Sequence, residues 1–555
     1  MKRRNFVKLS SFSIASLLMA DFTKAGDKKN WSLPMPDAVY LLSGGGTAAM
    51  KTSDGQTWHY QDTVVEFMKR QDLLEVWIQS ASAPLMEVRV TWKYATASHA
   101  VILGDAWERT YGDSAWANIV LSKKLPWYCC THSGDDTLCF GVKTGCQAFC
   151  CWQITGTSLQ LLLDTRSGGN GVQLNGRKLH AADIVTTRNE TGENAFAAVR
   201  RFCTQMCDAP RLTEKPVYGI NDWYFAYGNN SAGLILETTG LMASLASDGD
   251  NPPFSVIDAG WALKSPAQAD DCCWGDDFSV SNNKFGDMEK LAGQIKKIGM
   301  RPGLWTRPLS ARHTDKKNLL MPSIPGRDDP KSPLLDPTIP QNIETIKNLW
   351  NTYRQWGFEM VKHDYTTFDI FGRWGFQMTD GLTAPGWQFN DNTKTNAEII
   401  LNLYNHIREA AGPQYLIGCN TVSHLSAGIF ELNRIGDDTS GKQWERTRKM
   451  GVNTLGFRMV QHETFYEADG DCVGLTKDIP WDKNRQWMEL LSKSSAPLFI
   501  SALPEAVGEE QKQWIKKCFV AAARPQPIGE PLDWLENPLP SRWRLQGQPV
   551  NFDWT

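Results

Sequence analysis

Two hydrophobic patterns divide the chain. Over residues 32–211, short runs such as LLEVWIQSA and MEVRVTWKYA alternate apolar and polar residues and are separated by Gly, Asp and Asn. Such alternation is typical of antiparallel strands that bury one face. This part of the chain therefore predicts an N-terminal β-sandwich domain.

After Pro216 the apolar positions recur at helical spacing, and each helical stretch ends at a glycine before a short apolar strand. In GDMEKLAGQIKKIGMRPGLW, Asp287 is the expected N-cap of a helix and Gly299 its expected end. The segments PQNIETIKNLWNTYRQWGFEMVKHD and NAEIILNLYNHIREAAGPQYLIGCN repeat the scheme. Alternating helices and apolar strands predict a parallel sheet and hence an α/β fold.

Eight strand candidates follow one another in this second part. They are PVYGIND, FSVIDAGW, RPGLWTRP, EMVKHDY, YLIGCN, LNRIGDD, TFYEADGD and PLFISA. Eight units over residues 216–505 favour a (β/α)8 TIM barrel, although a doubly wound sheet also alternates helices and strands. Residues 506–555 predict a last helix and a short C-terminal β appendage.

Polar residues end nearly every one of these strands. They are Asn221, Asp222, Asp258, Arg307, Asp364, Asn420, Asp437 and Asp469. The active site of a (β/α)8 barrel lies at the carboxyl ends of its strands. We therefore expect the catalytic mouth at this edge of the sheet.

The stretch MVKHDYTTFD places Lys362, His363 and Asp364 together at the end of a buried strand. Residues i and i+2 of a strand share a face, so the Lys362 ammonium is expected beside the Asp364 carboxylate. A nearby cation lowers the pKa of a carboxylate and keeps it ionised, as a nucleophile must be. His363 is expected to point away from the mouth into packed residues.

Asp437 and Asp438 supply a second carboxylate on another strand. As adjacent residues they point to opposite sides, so only one of them faces the mouth. Two carboxylates at the ends of different strands form the minimum apparatus for glycoside hydrolysis, in which one attacks the anomeric carbon and the other protonates the departing oxygen.

Composition narrows the possible partners. The 58 Lys and Arg residues nearly balance 61 Asp and Glu, so nucleic acid is not an expected partner. The 9 His residues show no H-E-x-x-H pattern, and we expect no catalytic metal or cofactor. The 13 Cys residues do not match a zinc pattern; disulfides and reduced, packed thiols are both compatible with the sequence.

The N-terminus resembles a bacterial export signal of the twin-arginine type. Arg3 and Arg4 precede a modest apolar stretch, and cleavage after Ala25 would remove residues 1–25. A periplasmic or secreted protein is expected. No later run approaches about 20 apolar residues, so a membrane span is not expected.

Seven landmarks now occur in an order that resembles a known family. FSVIDAGW, Trp274 in CCWGDDF, KFGDMEKLAGQIKKIGMRPGLWTRP, LLDPTIP, GFEMVKHDY, IGCN and RIGDDT follow the α-galactosidase clan. The chain looks closest to glycoside hydrolase family 36, with family 27 as a relative. The resemblance implies that Asp364 is the nucleophile and Asp437 the acid/base, with Asp438 as the fallback, and that Lys362 binds a sugar hydroxyl.

The resemblance also implies a shell of substrate-binding residues. It comprises Asp222, Asp258, Trp261, Trp305, Arg307, Lys362, Cys419, Asn420 and Arg434. By the same resemblance, the strand-seven acids Asp469 and Asp471 are expected to be structural residues that brace the site. The family pattern is broken at three places: Ala259 replaces an Asp, Arg307-Pro308 replaces Glu-Pro, and residues 419–423 lack both glycines of C-x-x-G-G. Arg307 would meet a carboxylate or sulfate on the substrate or pair with a neighbouring Asp, and we favour the pairing.

These observations predict a retaining, exo-acting α-glycosidase that is most similar to α-galactosidases and takes an oligo- or polysaccharide with an α-linked terminal sugar. Ala259 stands where the family has a carboxylate that binds sugar hydroxyls. A glycosidase or transglycosylase for α-linked N-acetylgalactosamine or a pentopyranose is therefore an alternative. A catalytically inactive carbohydrate-binding barrel is a third hypothesis.

Overall fold

A computed structural model describes residues 33–97, 99–246, 249–264, 276–311, 316–327 and 333–555. The predicted export signal, Cys272, Cys273 and Trp274 lie outside these residues. Within them, no helix is both long and apolar enough to cross a membrane. The 11 described cysteines are buried and are not joined in disulfides.

The N-terminal part contains two antiparallel sheets. The first has the strand order Gly46–Ala49, Ala38–Ser43, Leu85–Lys93, Ser158–Asp164, Phe149–Ile154 and Leu125–Pro126. The second has the order Thr57–Tyr60, Thr63–Arg70, Leu73–Ser80, Lys178–Arg188, Asp136–Val142, Tyr128–Ser133, Val101–Gly104 and Ala117–Asn118. The sheets pack together through side chains such as Phe140 and Trp152, whose ring centroids lie 6.0 Å apart.

A helix within this part was not expected from the alternating pattern. It spans Ala195–Met206, and the side chain of Asn194 accepts the Ala197 N–H as its N-cap. Its apolar residues recur every three or four positions, which is helical and not strand spacing. Phe202 and Met206 lie against the backbone of Gly141 in the second sheet, where a Cβ would meet both side chains.

The second part is built on a parallel sheet, as predicted. Its strand order is Glu467–Asp469, Leu432–Arg434, Tyr415–Gly418, Met360–His363, Arg301–Thr306, Phe254–Ile257, Tyr218–Asn221, Leu498–Ala502 and Cys472–Leu475. All eight predicted strands are present. The sheet curls, because its two edge strands, Glu467–Asp469 and Cys472–Leu475, are consecutive in the chain and separated only by Gly470 and Asp471.

Helices connect these strands. The longer ones are Ala232–Ala243, Met288–Ile298, Pro340–Gln355, Asn396–Ala411, Trp481–Lys493 and Glu509–Ala522. The shorter α-helices are Trp223–Ala226, Thr366–Phe371, Ser423–Ser426, Trp444–Thr447 and Thr454–Arg458. The expected caps are confirmed, since Asp287 accepts the Lys290 N–H and Gly299 ends its helix in the left-handed conformation.

A two-stranded sheet and a three-stranded sheet complete the described elements. The first pairs Ala262–Leu263 with Asp277–Ser281, beside the strand Phe254–Ile257 in sequence. The second comprises Glu530–Pro531, Arg542–Leu545 and Gln548–Asn551 at the C-terminus. It carries the buried side chain of Trp543.

Candidate active site

Asp364 stands at the carboxyl end of the strand Met360–His363, whose four residues are all buried. Its backbone N–H donates to the Thr306 carbonyl, which continues the pairing with the neighbouring strand. One carboxylate oxygen accepts the Trp305 indole N–H at 3.2 Å, and the other accepts the Tyr365 backbone N–H at 2.7 Å. Tyr365 has a φ of 65°, so the chain turns there and directs this N–H at the carboxylate.

Trp261 holds Trp305 in position. Its indole N–H donates to the carbonyl of Trp305 at 2.8 Å, and both rings are almost fully buried. Trp305 therefore reaches the site as a hydrogen-bond donor to Asp364, while Trp261 orients Trp305 and has no solvent-facing ring surface.

Lys362 pairs with Asp258, which corrects the expectation that its ammonium lies against Asp364. The distance from Nζ to Asp258 Oδ2 is 2.7 Å, and both side chains are buried. The same oxygen accepts the Asn221 side-chain amide at 2.7 Å. Burial alone would lower the pKa of Lys362, but Asp258 leads a set of acids that raises it well above its ordinary value. The ion pair therefore keeps the buried Lys362 ammonium charged.

Asp222 holds the backbone of Asp258 in position through a hydrogen bond. Its carboxylate accepts the Asp258 backbone N–H at 2.6 Å and the Asn230 side-chain amide at 2.6 Å. Burial, reinforced by the charge of Asp258, raises the pKa of Asp222 to about 7. Asp222 is only 3 % exposed, so it acts on the site through Asp258.

Asp437 and Asp438 follow the strand Leu432–Arg434 and have different surroundings. The two Asp437 oxygens are held by Arg109 at 2.6 Å and Arg446 at 2.8 Å. Asp438 accepts from Arg434 at 3.2 Å and lies 3.6 Å from Arg109. The Asp438 side chain is 39 % exposed against 16 % for Asp437, so Asp438 is the more accessible acid of the pair.

Asp438 and Asp364 share an electrostatic neighbour. Tyr365 is affected by the charges of both carboxylates, which together with burial raise the pKa of its phenol. Lys362 in turn acts on Asp438. One strand, Tyr415–Gly418, lies between the strands that carry the two acids, so their backbones are about 10 Å apart across the sheet.

Burial would raise the pKa of Asp438, but nearby cations outweigh it. Arg109, Arg434 and Lys362 act in that order and hold the pKa of this carboxyl below its usual value. Asp438 is therefore ionised at neutral pH in the substrate-free protein.

Arg109 comes from the N-terminal part, and sequence reasoning did not identify it. It belongs to the connection over residues 105–116, which crosses to the curled sheet. Thr110 forms a parallel bridge with Gly436, in which its N–H donates to the Ile435 carbonyl and its carbonyl accepts the Asp437 N–H. The charged pair Glu108-Arg109, close to the aromatic residues Trp107 and Tyr111, was the available signal.

Arg434 is the central cation of the site and is only 1 % exposed. Besides Asp438 it pairs with Asp471 at 2.8 Å and Asp469 at 3.5 Å. The two acids of the seventh predicted strand therefore brace Arg434, as expected for structural residues.

Arg307 pairs with Asp369, so the favoured expectation for this residue is confirmed. Two guanidinium nitrogens contact the buried carboxylate at 2.6 and 3.0 Å, and Arg327 contacts it at 3.2 Å. The Arg307 guanidinium also lies 4.3 Å from the centroid of the Tyr365 ring. It therefore supports the turn that follows Asp364.

Asn420 is occupied within the chain. Its side-chain amide donates to Glu108 of the N-terminal part, and its side-chain oxygen accepts the Phe368 N–H at 2.9 Å. Cys419 is buried, and burial together with the charge of Asp364 raises the pKa of its thiol well above the ordinary value. It is thus a neutral neighbour of Asp364.

His363 points away from the mouth, as predicted. It is fully buried with ring contacts to Trp350, Tyr404 and Phe430 at 6.0, 6.1 and 4.8 Å between centroids. Burial lowers its pKa to about 3, so it is neutral.

Among the described residues, one group has the composition of a metal site: His462, Glu463 and Glu467, with ligand atoms within 4.8 Å of one another. However, Nδ1 of His462 accepts the Ala468 N–H at 3.0 Å. A neutral imidazole that accepts at Nδ1 carries its proton on Nε2. Because Nε2 lies 3.6 Å from each carboxylate, it suits donation to the acids better than coordination of a cation.

Comparison with known proteins identifies the fold. No family model matches the sequence. The structure is similar to the α-galactosidase TtGalA from Thermus thermophilus, solved with p-nitrophenyl α-D-galactopyranoside, at a TM-score of 0.61 and 16 % identity over 93 % of this chain and 99 % of that one. It is also similar to the GH36 α-galactosidase AgaA from Geobacillus stearothermophilus, at a TM-score of 0.57 and 12 % identity over 89 % and 76 % of the two chains.

The galactosidase domain of the α-galactosidase-sucrose kinase AgaSK gives a TM-score of 0.55 at 13 % identity over 89 % and 70 % of the two chains. These neighbours cover both the N-terminal sheets and the curled parallel sheet. The chain therefore has the fold seen in GH36 α-galactosidases.

Proposed function

We propose that the protein is a retaining α-glycosidase for terminal α-galactosides, with Asp364 as the nucleophile and Asp438 as the acid/base. One observation carries the proposal. Among the described acids at the strand ends, Asp364, Asp437 and Asp438 are partly exposed, whereas Asp222, Asp258, Asp469 and Asp471 are buried. Of the three partly exposed acids, Asp437 has both oxygens held by arginines, which leaves Asp364 and Asp438.

The hydrogen bonds around Asp364 suit a nucleophile. Donation from Trp305 and from the Tyr365 N–H fixes the orientation of the carboxylate. In the first step one Asp364 oxygen forms a bond to the anomeric carbon while the bond to the leaving oxygen breaks, and the protonated form of Asp438 gives that oxygen its proton. In the second step Asp438 takes a proton from water, which displaces Asp364.

Asp438 fits the acid/base role better than Asp437, although the family resemblance placed Asp437 first. Both oxygens of Asp437 are engaged by arginines, Arg109 and Arg446. Asp438 keeps one oxygen without an ion pair among the described contacts and is the more exposed of the two. A proton donor needs such access to the leaving group.

The scaffold proposed for this chemistry is a (β/α)8 barrel whose seventh strand is broken at Gly470-Asp471. The two antiparallel sheets form a β-sandwich that delivers Arg109 to the mouth. The similarity in fold to α-galactosidases supports galactose as the sugar. Ala259, and the pairing of Lys362 with Asp258, favour a different set of contacts to the ring hydroxyls of the sugar.

A panel of aryl α-glycosides with anomer-resolved product analysis tests the proposal. The expected result is release of α-galactose with retention from the α-galactoside. If the protein hydrolyses the α-N-acetylgalactosaminide or an α-pentopyranoside but not the α-galactoside, that sugar replaces galactose as the proposed substrate. Sugar binding without turnover of any member would support the carbohydrate-binding hypothesis instead.

A further inference from the structure

Phe376 is unusual among the aromatic residues of this protein. It is 56 % exposed, and it is the only aromatic side chain in the described part of the chain that is more than about a third exposed. It lies in the connection that follows Asp364, five residues beyond the end of the helix Thr366–Phe371. An isolated exposed Leu or Val needs no explanation, but a large exposed ring beside a candidate catalytic site is a candidate ligand contact.

The backbone around Phe376 is held in place. The Gly375 N–H donates to Glu108 Oε1 at 2.7 Å, and a Cβ at Gly375 would lie 2.6 Å from Glu108 Cγ. Trp374 and Gln377 exchange two further hydrogen bonds, each 2.8 Å long, across the same turn. The exposed ring is therefore pre-positioned, which reduces the entropy that a ligand would have to remove.

A second ring stands beside it from the other part of the chain. Tyr111 lies 4.9 Å from Phe376 between centroids, at an interplanar angle of 71°. The Tyr111 hydroxyl donates to Glu108, so the same buried acid holds both sides of the pair. We call Tyr111 and Phe376 the aromatic shelf.

Arg109 connects the aromatic shelf to the proposed acid/base. Its guanidinium lies 6.0 Å from the Tyr111 ring centroid and 5.5 Å from that of Trp374, and one of its nitrogens lies 3.6 Å from Asp438. The acid/base of a glycosidase stands on the leaving-group side of the scissile bond. The shelf is therefore on the side where the second sugar ring would emerge.

We propose that the aromatic shelf binds the second sugar ring of the substrate, on the leaving-group side. The axial C–H groups of a pyranose form an apolar face that packs on an aromatic ring, while its hydroxyls remain in water. The inference rests on the proposed function, and it adds which side chains of this protein hold the ring beyond the scissile bond.

The test compares two substrates that differ only beyond the scissile bond. α-D-Galactosyl fluoride has no second ring, whereas raffinose presents a glucose ring to the shelf. Phe376→Ala is expected to lower kcat/KM for raffinose about three- to tenfold, mainly through KM, and to leave galactosyl fluoride unchanged. Phe376→Trp should retain raffinose hydrolysis. Leu535→Ala, which truncates an exposed residue of the C-terminal part, is the matched control.

Each outcome decides the inference. An equal fall for both substrates in Phe376→Ala, or no fall for raffinose, overturns the shelf and leaves the proposed function standing. If the wild-type protein turns over neither substrate, the proposed function fails and the shelf fails with it. A selective loss on raffinose that Tyr111→Ala reproduces supports the shelf as defined.

Discussion

Asp437 and Asp438 have the same chemistry and adjacent positions, yet their surroundings differ. Asp437 pairs with two arginines and, through Arg109, ties the N-terminal part to the curled sheet, whereas Asp438 pairs with Arg434 and is the more exposed acid. The alternation of side chains in an extended segment predicts that only one of them faces the mouth, but not which one. That choice depends on Arg109, which lies more than 300 residues away in the sequence.

The assignment of the acid/base predicts opposite behaviour of two matched variants. Asp438→Asn should lower kcat for raffinose by about 10²–10⁴-fold, because the leaving sugar oxygen then lacks a proton donor. It should affect galactosyl fluoride less, because fluoride needs little protonation. Asp437→Asn should cost less than about tenfold on both substrates. A larger loss on raffinose in Asp437→Asn than in Asp438→Asn would return the role to Asp437.

The charge of Arg109 predicts a shift in the pH profile. The groups that face Asp438 are Arg109, Arg434, Lys362, Arg446, Tyr224, Tyr365 and its neighbour Asp437. Since the cations lower the pKa of Asp438, the acid form required for the first step is lost as pH rises, and the optimum of kcat/KM is expected below neutrality. Arg109→Gln should move the alkaline limb upward by about one pH unit.

Arg109→Lys and Tyr111→Phe are the controls for that shift. The lysine retains the charge, and the phenylalanine removes only the hydrogen bond to Glu108 on the same segment. Both should leave the alkaline limb where it is. A limb in Arg109→Gln that coincides with wild type would show that Arg109 has a structural role alone.

Glu467 predicts a pH dependence of stability. Burial, with the charge of Glu463 second, raises its pKa from 4.5 to about 7 in the folded state. The folded chain therefore binds this proton more tightly than the unfolded chain, and stability declines as pH rises from about 4.5 to 7. Glu467→Gln should raise the free energy of unfolding at pH 8 by up to about 3 kcal/mol and change little at pH 4. Denaturant unfolding at both pH values measures this, and an equal effect at both would contradict the raised pKa.

At the scale of elements, the strands and helices of the second part follow from local signals, because capping residues and apolar spacing act over a few positions. Asp287 and Gly299 bound their helix as expected. The predicted β-sandwich did not include the helix Ala195–Met206, although the apolar residues of this helix recur at helical spacing. The bridge between Thr110 and Gly436 has no local signal at all, since it joins segments that are distant in the sequence.

Gly436 allows the segment that bears the two acids to pack closely. A Cβ there would lie 1.9 Å from the Met450 carbonyl oxygen, so Gly436→Ala must displace backbone and should destabilise the protein by about 1–3 kcal/mol. Gly293 lies in the helix Met288–Ile298, and a Cβ at Gly293 would meet no atom within 4 Å, so Gly293→Ala should stabilise by about 0.5–1 kcal/mol. Thermal unfolding of the two variants compares them, and equal destabilisation would refute the packing argument.

At the scale of the whole molecule, the two parts are joined by buried and half-buried ion pairs. Asp105 pairs with Arg458 at 2.7 Å with both side chains nearly inaccessible, and Arg177 pairs with Glu398 at 2.9 Å. The division of the sequence into two parts was visible from its hydrophobic patterns, but their interlocking was not. From the sequence alone, charged residues in a connection between strands are expected to face solvent, because their ion-pair partners are distant in the sequence.

The buried pair predicts that the parts depend on one another for stability. Arg458→Met leaves the Asp105 charge buried without its partner and should lower the free energy of unfolding by about 3–5 kcal/mol. Arg70→Met removes an exposed pair with Glu75 and should cost less than about 1 kcal/mol. Calorimetry should show the whole wild-type transition moved in Arg458→Met. If Arg458→Met lowers the free energy of unfolding no more than Arg70→Met does, the Asp105–Arg458 pair does not stabilise the protein.

Covalent trapping of the nucleophile tests the central claim most directly. Incubation with 5-fluoro-α-D-galactosyl fluoride, which slows the second step more than the first, should leave one fluorogalactosyl group per chain. Peptide mass mapping should locate it on Asp364, in the peptide that contains KHDYTTFD, and Asp364→Asn should prevent labelling while circular dichroism shows the fold intact. A label on any other carboxylate, or turnover that inverts the anomeric configuration without a trapped species, would contradict the account.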